Sequence, residues 1–291
     1  MSLMPSGAAS KRPIWVELGS VPHRLHFPTV AGWRTRVFEA GTGQPLVLLA
    51  GTGGHLEAYA HNIAHLARRF RVIAYDYPGH GYTDPAEHDL ELADYVTHLK
   101  ALLDTLGVEH AHLCGESLGG WIAVKFAAAH PSQVDKLVLN TPGGTMARPE
   151  VMERIRSLSQ AAADDPSTEN IRARLEWLMA DPTTVSDELV ATRQAIYARP
   201  HFADSMRHIL CLQRPEVRRR NLVTDEELAA VPNGALVVWT SNDPSGPAAA
   251  GMEMATKIHG GRFEHIDGAG HWPQWEQSEV FNELVVGYLT T

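Results

Sequence analysis

A serine flanked by glycines is the strongest candidate for a reactive residue in this chain. Residues 111–120 read AHLCGESLGG, so Ser117 follows a short apolar run and precedes the apolar residues 121–126. Gly115 and Gly119 leave room for a sharp turn between a strand and a helix. Such a turn holds a serine hydroxyl above a sheet at the positive end of the helix. The pattern predicts a nucleophilic Ser117, but ordinary turns contain it too, so a base, an acid and an oxyanion hole must support it.

An acid and a base are available further along the chain. Asp243 follows the apolar run 235–239, and His271 follows the run 262–266. Serine is a poor nucleophile at its own pKa, so His271 would accept its proton while Asp243 orients the imidazole and stabilises its charged form. The alternatives are a surface loop residue for His271 and a turn-forming residue before proline for Asp243. Ser117, Asp243 and His271 are therefore the predicted catalytic residues.

Stabilisation of an oxyanion requires donors that are fixed in advance, and backbone N–H groups meet that need. Leu118, directly after the serine, supplies one N–H group. The second should come from the loop that follows the apolar run 46–50, where we expect Thr52 to supply it. The glycines of residues 51–54 also suit a phosphate-binding loop, but the P-loop spacing and its lysine are missing. His55 and Glu57, just beyond this loop, are further candidates for the lining of the site.

These residues must be positioned by a sheet. Residues 14–18, 25–27 and 33–39 resemble short antiparallel strands at a sheet edge. Continuous apolar runs then predict strands buried on both faces, at residues 46–50, 71–75, 111–116, 136–140, 235–239 and 262–266. Helical patterns lie between them, at residues 56–69, 91–106, 248–259 and 278–289. Alternation of this kind builds an α/β fold with a mostly parallel central sheet flanked by helices, and catalytic groups gather at the carboxyl ends of its strands.

The strand signals stop over one long segment. Residues 151–160, 168–179, 187–197 and 201–213 are helical in pattern and are separated by proline and aspartate. We predict a flexible tail at residues 1–12, a core domain at 13–143 and 231–291, and an inserted helical cap at 144–230.

Composition narrows the class of function. The chain has 291 residues, 44% of them hydrophobic, and a net charge of -9, which disfavours a nucleic-acid partner. The basic run Arg218–Arg219–Arg220 is interpreted as a solvated helix face. Two cysteines cannot form a disulfide framework, and no apolar stretch is long enough to span a bilayer, so we predict a cytoplasmic protein with no membrane partner. We predict a small-molecule substrate, no cofactor and no metal.

Taken together, the residues resemble the α/β-hydrolase family from about residue 33 to residue 288. The order serine, aspartate, histidine is that of this family. Within it, LVLNTPGG at 137–144 and HWPQWE at 271–276 are similar to the meta-cleavage product hydrolases. That resemblance implies cleavage of a carbon-carbon bond in a 2-hydroxy-6-oxo-dienoate from aromatic degradation, and it is compatible with a homo-oligomer.

The resemblance also implies substrate-binding residues. Arg193, after Glu188–Leu189–Val190, is similar to the family's substrate-binding arginine, and a guanidinium suits an anionic oxygen. Trp272 would form an apolar wall, and Gly51 and Gly53 would line the oxyanion loop. The chain departs from the family in its shortened loop at residues 50–54 and in Glu116, where the family often has asparagine. A carboxylate there repels an anionic substrate unless it is protonated or paired.

Three hypotheses follow. The first is a serine hydrolase that cleaves a carbon-carbon bond of a keto-dienoate. The second, favoured by Glu116 and the short loop, is a carboxylesterase or lactonase acting on a small neutral ester. The third is a catalytically silent ligand receptor, because a fold does not fix a function.

Overall fold

The structure, a computed structural model, describes residues 12–291. Residues 1–11 of the expected flexible tail lie outside the described residues. The strands are β1 (His23–His26), β2 (Thr29–Val30), β3 (Trp33–Arg34), β4 (Val37–Ala40), β5 (Gln44–Leu49), β6 (Phe70–Tyr75), β7 (Ala111–Glu116), β8 (Val134–Asn140), β9 (Ala235–Thr240) and β10 (Arg262–Ile266). The helices are α1 (Ile14–Leu18), α2 (Ala60–Leu66), α3 (Leu92–Thr105), α4 (Leu118–Ala129), α5 (Pro149–Asp164), α6 (Thr168–Glu176), α7 (Asp187–Tyr197), α8 (Phe202–Ile209), α9 (Pro215–Asn221), α10 (Asp225–Ala229), α11 (Ala248–Lys257), α12 (Pro273–Glu276) and α13 (Ser278–Leu289).

Eight strands form one sheet in the order β1-β4-β6-β5-β7-β8-β9-β10. The pairs β1–β4 and β4–β6 are antiparallel, and every later pair is parallel. Parallel neighbours require crossovers through helices, which cover both faces of the sheet. The predicted α/β architecture with a mostly parallel sheet is confirmed.

Successive residues of the central strands point to opposite faces. In β5, Leu46 and Leu48 join one hydrophobic cluster, whereas Val47 and Leu49 join the other. Both faces of the strand are therefore buried, which explains why its sequence is a continuous apolar run instead of an alternating one. The central strands are thereby fixed, and the loops at their carboxyl ends start from a rigid platform.

The amino-terminal segment differs from the expectation. Residues 14–18 are a helix, so the predicted edge strand at this position is wrong. Pro13 precedes the helix, and Ile14 and Leu18 are both buried. These two residues are four apart, a helical spacing that places them on one face. In so short a segment this spacing could not be separated from the alternation of a strand.

The chain between β8 and β9 forms the helices α5 to α10. α5 packs against α6 and α8, and α6 packs against α7. The following short helix, α10, packs against α4 and α11 of the sheet's flanking layer. Within residues 12–291, no helix is long and apolar enough to cross a membrane.

Candidate active site

Ser117 lies at the turn between β7 and α4 with a strained backbone. Its φ angle is +53°, in the left-handed region that non-glycine residues seldom adopt. Its N–H donates to the carbonyl of Asn140 at 3.1 Å, and its carbonyl accepts from Gly143 at 2.9 Å. A side chain at Gly119 would overlap the carbonyl group of Leu49, so the helix can approach β5 only through glycine. The surrounding contacts thus hold the strain at the position predicted for a nucleophile.

Asp243 and His271 meet at the carboxyl ends of β9 and β10. The Oδ1 atom of Asp243 lies 2.9 Å from Nδ1 of His271, and it also accepts the N–H of Ser245 at 2.8 Å. The backbone N–H of His271 donates to the carbonyl of Leu178, just beyond α6, at 2.6 Å. The imidazole is therefore oriented by an acid of the core, and its loop is fixed by the helices between β8 and β9.

Glu116 ends β7 and faces the other ring nitrogen of His271. Its Oε1 atom lies 3.2 Å from Nε2, and its side chain is 1% exposed. Burial lowers the pKa of His271, but the charge and hydrogen bond of Asp243, with the charge of Glu116, raise it more, so the net pKa is above the ordinary value. Burial raises the pKa of Glu116. Among the hydrogen bonds of the described residues, none joins His271 to Ser117.

Thr52 and Leu118 line the same cavity as Ser117 and His271. Leu118 is the first residue of α4, where a backbone N–H has no partner within the helix. Thr52 follows β5, which pairs directly with β7, so the two loops emerge side by side. The structure thus brings together the two residues predicted to supply the oxyanion donors.

Two buried arginines lie near Glu116. Arg193 is 1% exposed, and its Nε and Nη2 atoms have no hydrogen-bond partner among the described residues. Arg174 donates from Nε to Ser159 at 2.9 Å, while its buried Nη1 atom has no partner there. Burial, and then the charge of Arg193, lower the pKa of Arg174 to about 10. Buried donors without acceptors are costly, which favours an anionic ligand at this place.

The remaining predicted binding residues surround these charges. Trp272 is buried, and the centre of its ring lies 5.4 Å from the Arg193 guanidinium. Gly51 lies against the Glu116 carboxylate, where a methyl group would come within 2.5 Å of Oε2. The carbonyl of Gly53 accepts a hydrogen bond from the Tyr197 hydroxyl at 2.9 Å, so this glycine contacts α7.

His55 and Glu57 belong to a buried charge network beside the site. His55 Nδ1 lies 2.8 Å from Glu57 Oε2, and Arg36 contacts both Glu57, at 2.7 Å, and Asp76, at 2.6 Å. Both acids are buried against the same guanidinium. Through Arg36, these contacts join the residue before β4 to the loop after β5 and the loop after β6. His55 and Glu57 therefore have a structural role in this network. Within residues 12–291, no group of three or more His, Cys, Asp or Glu side chains is arranged to hold a metal ion.

Sequence reasoning missed two arginines. Arg174 shares a helical face with the buried Ile171 and Leu175. A basic residue on the apolar face of a helix was the sequence feature that could have indicated a buried arginine. Arg218 was assigned to a solvated helix face, and that interpretation is wrong. Its guanidinium packs on the ring of Trp121, and its side chain lines the cavity of Ser117. The run of three arginines concealed the difference, because only the docking of α9 separates the inward residue from its neighbours.

Comparison with known proteins agrees with the fold. Residues 44–278 match the family model described as the alpha/beta hydrolase fold. The chain is 32% identical to the 2-hydroxy-6-oxononadienedioate/2-hydroxy-6-oxononatrienedioate hydrolase of Paraburkholderia phymatum, over 97% of this chain and 96% of that protein. It is 31% identical to the 2-hydroxy-6-oxo-6-phenylhexa-2,4-dienoate hydrolase of Comamonas testosteroni, over 86% of this chain and 89% of that protein.

Solved structures give the same result. A variant of the meta-cleavage product hydrolase CumD of Pseudomonas fluorescens superposes with a TM-score of 0.81 at 30% identity, over 91% of this chain and 97% of that chain. The resemblance to meta-cleavage product hydrolases noted in the sequence is therefore confirmed over nearly the whole length. This chain belongs to the α/β hydrolase fold family and is a hydrolase.

Proposed function

We propose that this protein is a serine hydrolase that cleaves a carbon-carbon bond of a 2-hydroxy-6-oxo-dienoate. The observation that carries the proposal is the combination of Ser117 on a strained turn with two buried arginines whose donors lack partners nearby. Hydrolases with this substrate class in their names are 31–32% identical to the chain. An anionic dienoate would supply the acceptors that Arg193 and Arg174 lack.

The proposed reaction begins with the transfer of the 2-hydroxyl proton to carbon 5, which converts the dienol into a ketone. Ser117 Oγ then bonds to carbon 6 while His271 accepts the hydroxyl proton, and the N–H groups of Thr52 and Leu118 stabilise the oxyanion. When the bond between carbons 5 and 6 breaks, its electron pair passes along the conjugated chain to the 2-oxygen. This oxygen takes the proton held by His271, which leaves the imidazole neutral. The other fragment remains as an acyl ester of Ser117.

Water completes the cycle. His271 accepts a proton from water, the hydroxide adds to the acyl carbon, and the ester bond to Ser117 breaks with return of a proton to Oγ. The products are a carboxylic acid and a 2-hydroxy-dienoate. Because negative charge develops on the 2-oxygen, the guanidinium of Arg193 would bind the transition state more tightly than the ketone. In this proposal, the ring of Trp272 excludes water beside the Arg193 guanidinium.

The direct experiment is turnover of a purified keto-dienoate with identification of both products. Arg193→Met should lower kcat/KM for this substrate by about tenfold to a hundredfold, since bonds to charged groups are worth about 1.5–3 kcal/mol. Arg154→Met, an exposed arginine on α5, is the matched control. Hydrolysis of p-nitrophenyl esters by the Arg193 variant should change little. Equal losses on dienoate and ester would contradict a role for Arg193 in binding the dienoate.

A carboxylesterase or lactonase is the second candidate, and Glu116 favours it. A carboxylate 3.2 Å from His271 Nε2 would repel the anionic end of a dienoate if it stayed ionised. Comparison of kcat/KM on p-nitrophenyl esters and on keto-dienoates separates the two functions. Higher efficiency on the esters, with no release of a 2-hydroxy-dienoate, would select the esterase.

Three further expectations belong to this proposal. The helices between β8 and β9 act as a cap over the site, consistent with the bond from His271 to Leu178. We expect the substrate to be a small molecule and the protein to act in the cytoplasm. Cys114 and Cys211 are buried and form no disulfide, which supports a reducing compartment. Assembly of like subunits is the expectation drawn from the family. Size-exclusion chromatography with light scattering tests it.

A further inference from the structure

The cavity of Ser117 contains a cation that the proposed chemistry does not use. Thr52, Leu118 and His271 border this cavity at the serine. The same cavity is lined by Gln213 and Arg218, from the segment between α8 and the end of α9. Arg218 is therefore a charged group in the space that opens from the nucleophile.

The surroundings of Arg218 hold the side chain but leave its charge unpaired. Its guanidinium carbon lies 5.0 Å from the centre of the Trp121 ring, and its Nε donates to the carbonyl of Met146 at 2.8 Å. Gln213 accepts from Nη1 at a weak 3.4 Å. Among residues 12–291, no carboxylate lies within 4.0 Å of this guanidinium. Burial lowers the pKa of Arg218 to about 10, so the group remains charged at neutral pH.

The neighbouring arginines show how unusual this environment is. Arg219 is exposed, and Arg220 is exposed and paired with Glu91. On the same cavity wall, Arg148 has an acidic partner, Glu150, at 2.9 Å. Arg218 is positioned by an aromatic ring and a carbonyl group in the cavity and has no counter-charge among the described residues, whereas Arg219, which also has no acidic partner there, is exposed to solvent. Stacking and a single fixed Nε bond leave the outer edge of the guanidinium available for an anion.

Because Arg218 lines the same cavity as Ser117, the anion that it binds can be matched to one part of a substrate. A carbonyl carbon at Ser117 carries two substituents. Glu116, Arg193 and Trp272, beside which the proposed function places the dienoate, are not among the residues that line this cavity. The cavity lined by Arg218 and Gln213 is therefore the space that we assign to the acyl group that remains on the serine.

We propose that Arg218 binds a carboxylate at the far end of the acyl group, so that this enzyme prefers dicarboxylate substrates and releases a dicarboxylic acid. The identification of the acyl side rests on the proposed function. The affinity of the cavity for an anionic acyl end is independent of the proposed function. Any ester that acylates Ser117 places its acyl group in the same space. Arg218 is a specificity-determining residue in this account.

The test uses two isosteric esters, mono-p-nitrophenyl succinate and p-nitrophenyl 4-methylpentanoate, whose acyl groups differ in a carboxylate and an isopropyl group. For Arg218→Met we expect kcat/KM on the succinate ester to fall by about tenfold to a hundredfold, with the 4-methylpentanoate value within about twofold of the parent. Arg218→Lys should recover part of the preference. Arg219→Met is the matched control and should keep the parent values on both esters.

Two outcomes would overturn the proposal. Equal losses on both esters would show that Arg218 acts only in packing, and unchanged values on both would show that no anion binds there. A loss of the succinate preference in an enzyme that fails to cleave any keto-dienoate would support the carboxylate site while rejecting carbon-carbon cleavage. The failure of one proposal is thus distinguishable from the failure of the other.

Discussion

The Oε1 atom of Glu116 lies 3.2 Å from the Nε2 atom of His271, on the side of the ring opposite Asp243. Both ring nitrogens therefore face carboxylates, and the protonated imidazolium is the form that this arrangement stabilises. A base must be unprotonated at Nε2 to accept the proton of Ser117. Glu116 thus influences the protonation of His271, and with it the pH at which we expect the site to work.

Replacement of Glu116 by glutamine should shift activity toward lower pH. The charge of Glu116 is one of the groups that raise the pKa of His271, so its removal lowers that pKa. His271 is then unprotonated at a lower pH, and the acidic limb of the kcat/KM profile moves in the same direction. The measurement is the pH dependence of kcat/KM on a neutral p-nitrophenyl ester.

The control for Glu116→Gln is Glu109→Gln, an exposed glutamate before β7. It should leave the profile in place. An acidic limb that stays unchanged in Glu116→Gln, or moves to higher pH, would show that Glu116 is neutral in the working enzyme or acts elsewhere.

Replacement of Asp243 by asparagine should leave the fold intact but reduce turnover. The amide can retain the contact with Ser245 but no longer stabilises the imidazolium or fixes its tautomer. We expect kcat to fall by about 10⁴, by analogy with the acid of serine protease triads. Thermal unfolding of the variant checks that the loss is not structural, and Asp267→Asn, at an exposed position, is the matched control. A loss below about tenfold would contradict this role.

A methyl group at Gly119 should destabilise the protein. It would overlap the carbonyl group of Leu49 and push α4 away from β5. Overpacking of this kind costs about 1–3 kcal/mol, measured as the free energy of unfolding in urea. Gly287→Ala is the matched control, because a methyl group there meets no atom within 4 Å and lies inside helix α13. Gly287→Ala should stabilise the protein by about 0.5–1 kcal/mol. Equal changes in the free energy of unfolding at the two glycines would contradict the close approach of α4 to β5 at Gly119.

The buried Glu57 should contribute to stability at neutral pH. Burial raises its pKa, but His55 and Arg36 lower it more, to about 2. Because the pKa is lower in the folded state, this contribution is full above the reference pKa of 4.5 and is lost as the pH falls toward about 2. Glu57→Gln should therefore be less stable than the parent at pH 7, by about 3 kcal/mol, since it breaks a buried ion pair.

The gap between parent and Glu57→Gln should narrow as the pH falls from about 4.5 to about 2. Urea unfolding over this range measures it, and Glu87→Gln, at an exposed position, is the control. A gap that stays constant with pH would show that the carboxylate charge is not the source of the stability.

The fold was predictable because its signals are local and repeated. Continuous apolar runs marked strands such as β5 and β7, and the glycines around Ser117 marked the turn. The family followed from the order of Ser117, Asp243 and His271, and the relatives confirm it. The helix at residues 14–18 was not predictable in the same way, since five residues carry too little periodicity to separate helix from strand.

The charges around the site could not be obtained from spacing. The contact between Glu116 and His271 depends on the rotation of one side chain at the end of β7. Arg174 and Arg218 enter the site only because α6 and α9 dock with particular faces inward. Docking is set by packing between elements far apart in the chain, which a pattern within one element does not contain.

Turnover of a keto-dienoate by Ser117→Ala tests the central claim most directly. The parent should release a carboxylic acid and a 2-hydroxy-dienoate, and the variant should lose at least about 10⁴ of kcat on this substrate and on p-nitrophenyl esters, with an unchanged thermal transition. Ser132→Ala, at an exposed position, is the control and should match the parent. Undiminished cleavage of both substrates by Ser117→Ala would show that Ser117 is not the nucleophile.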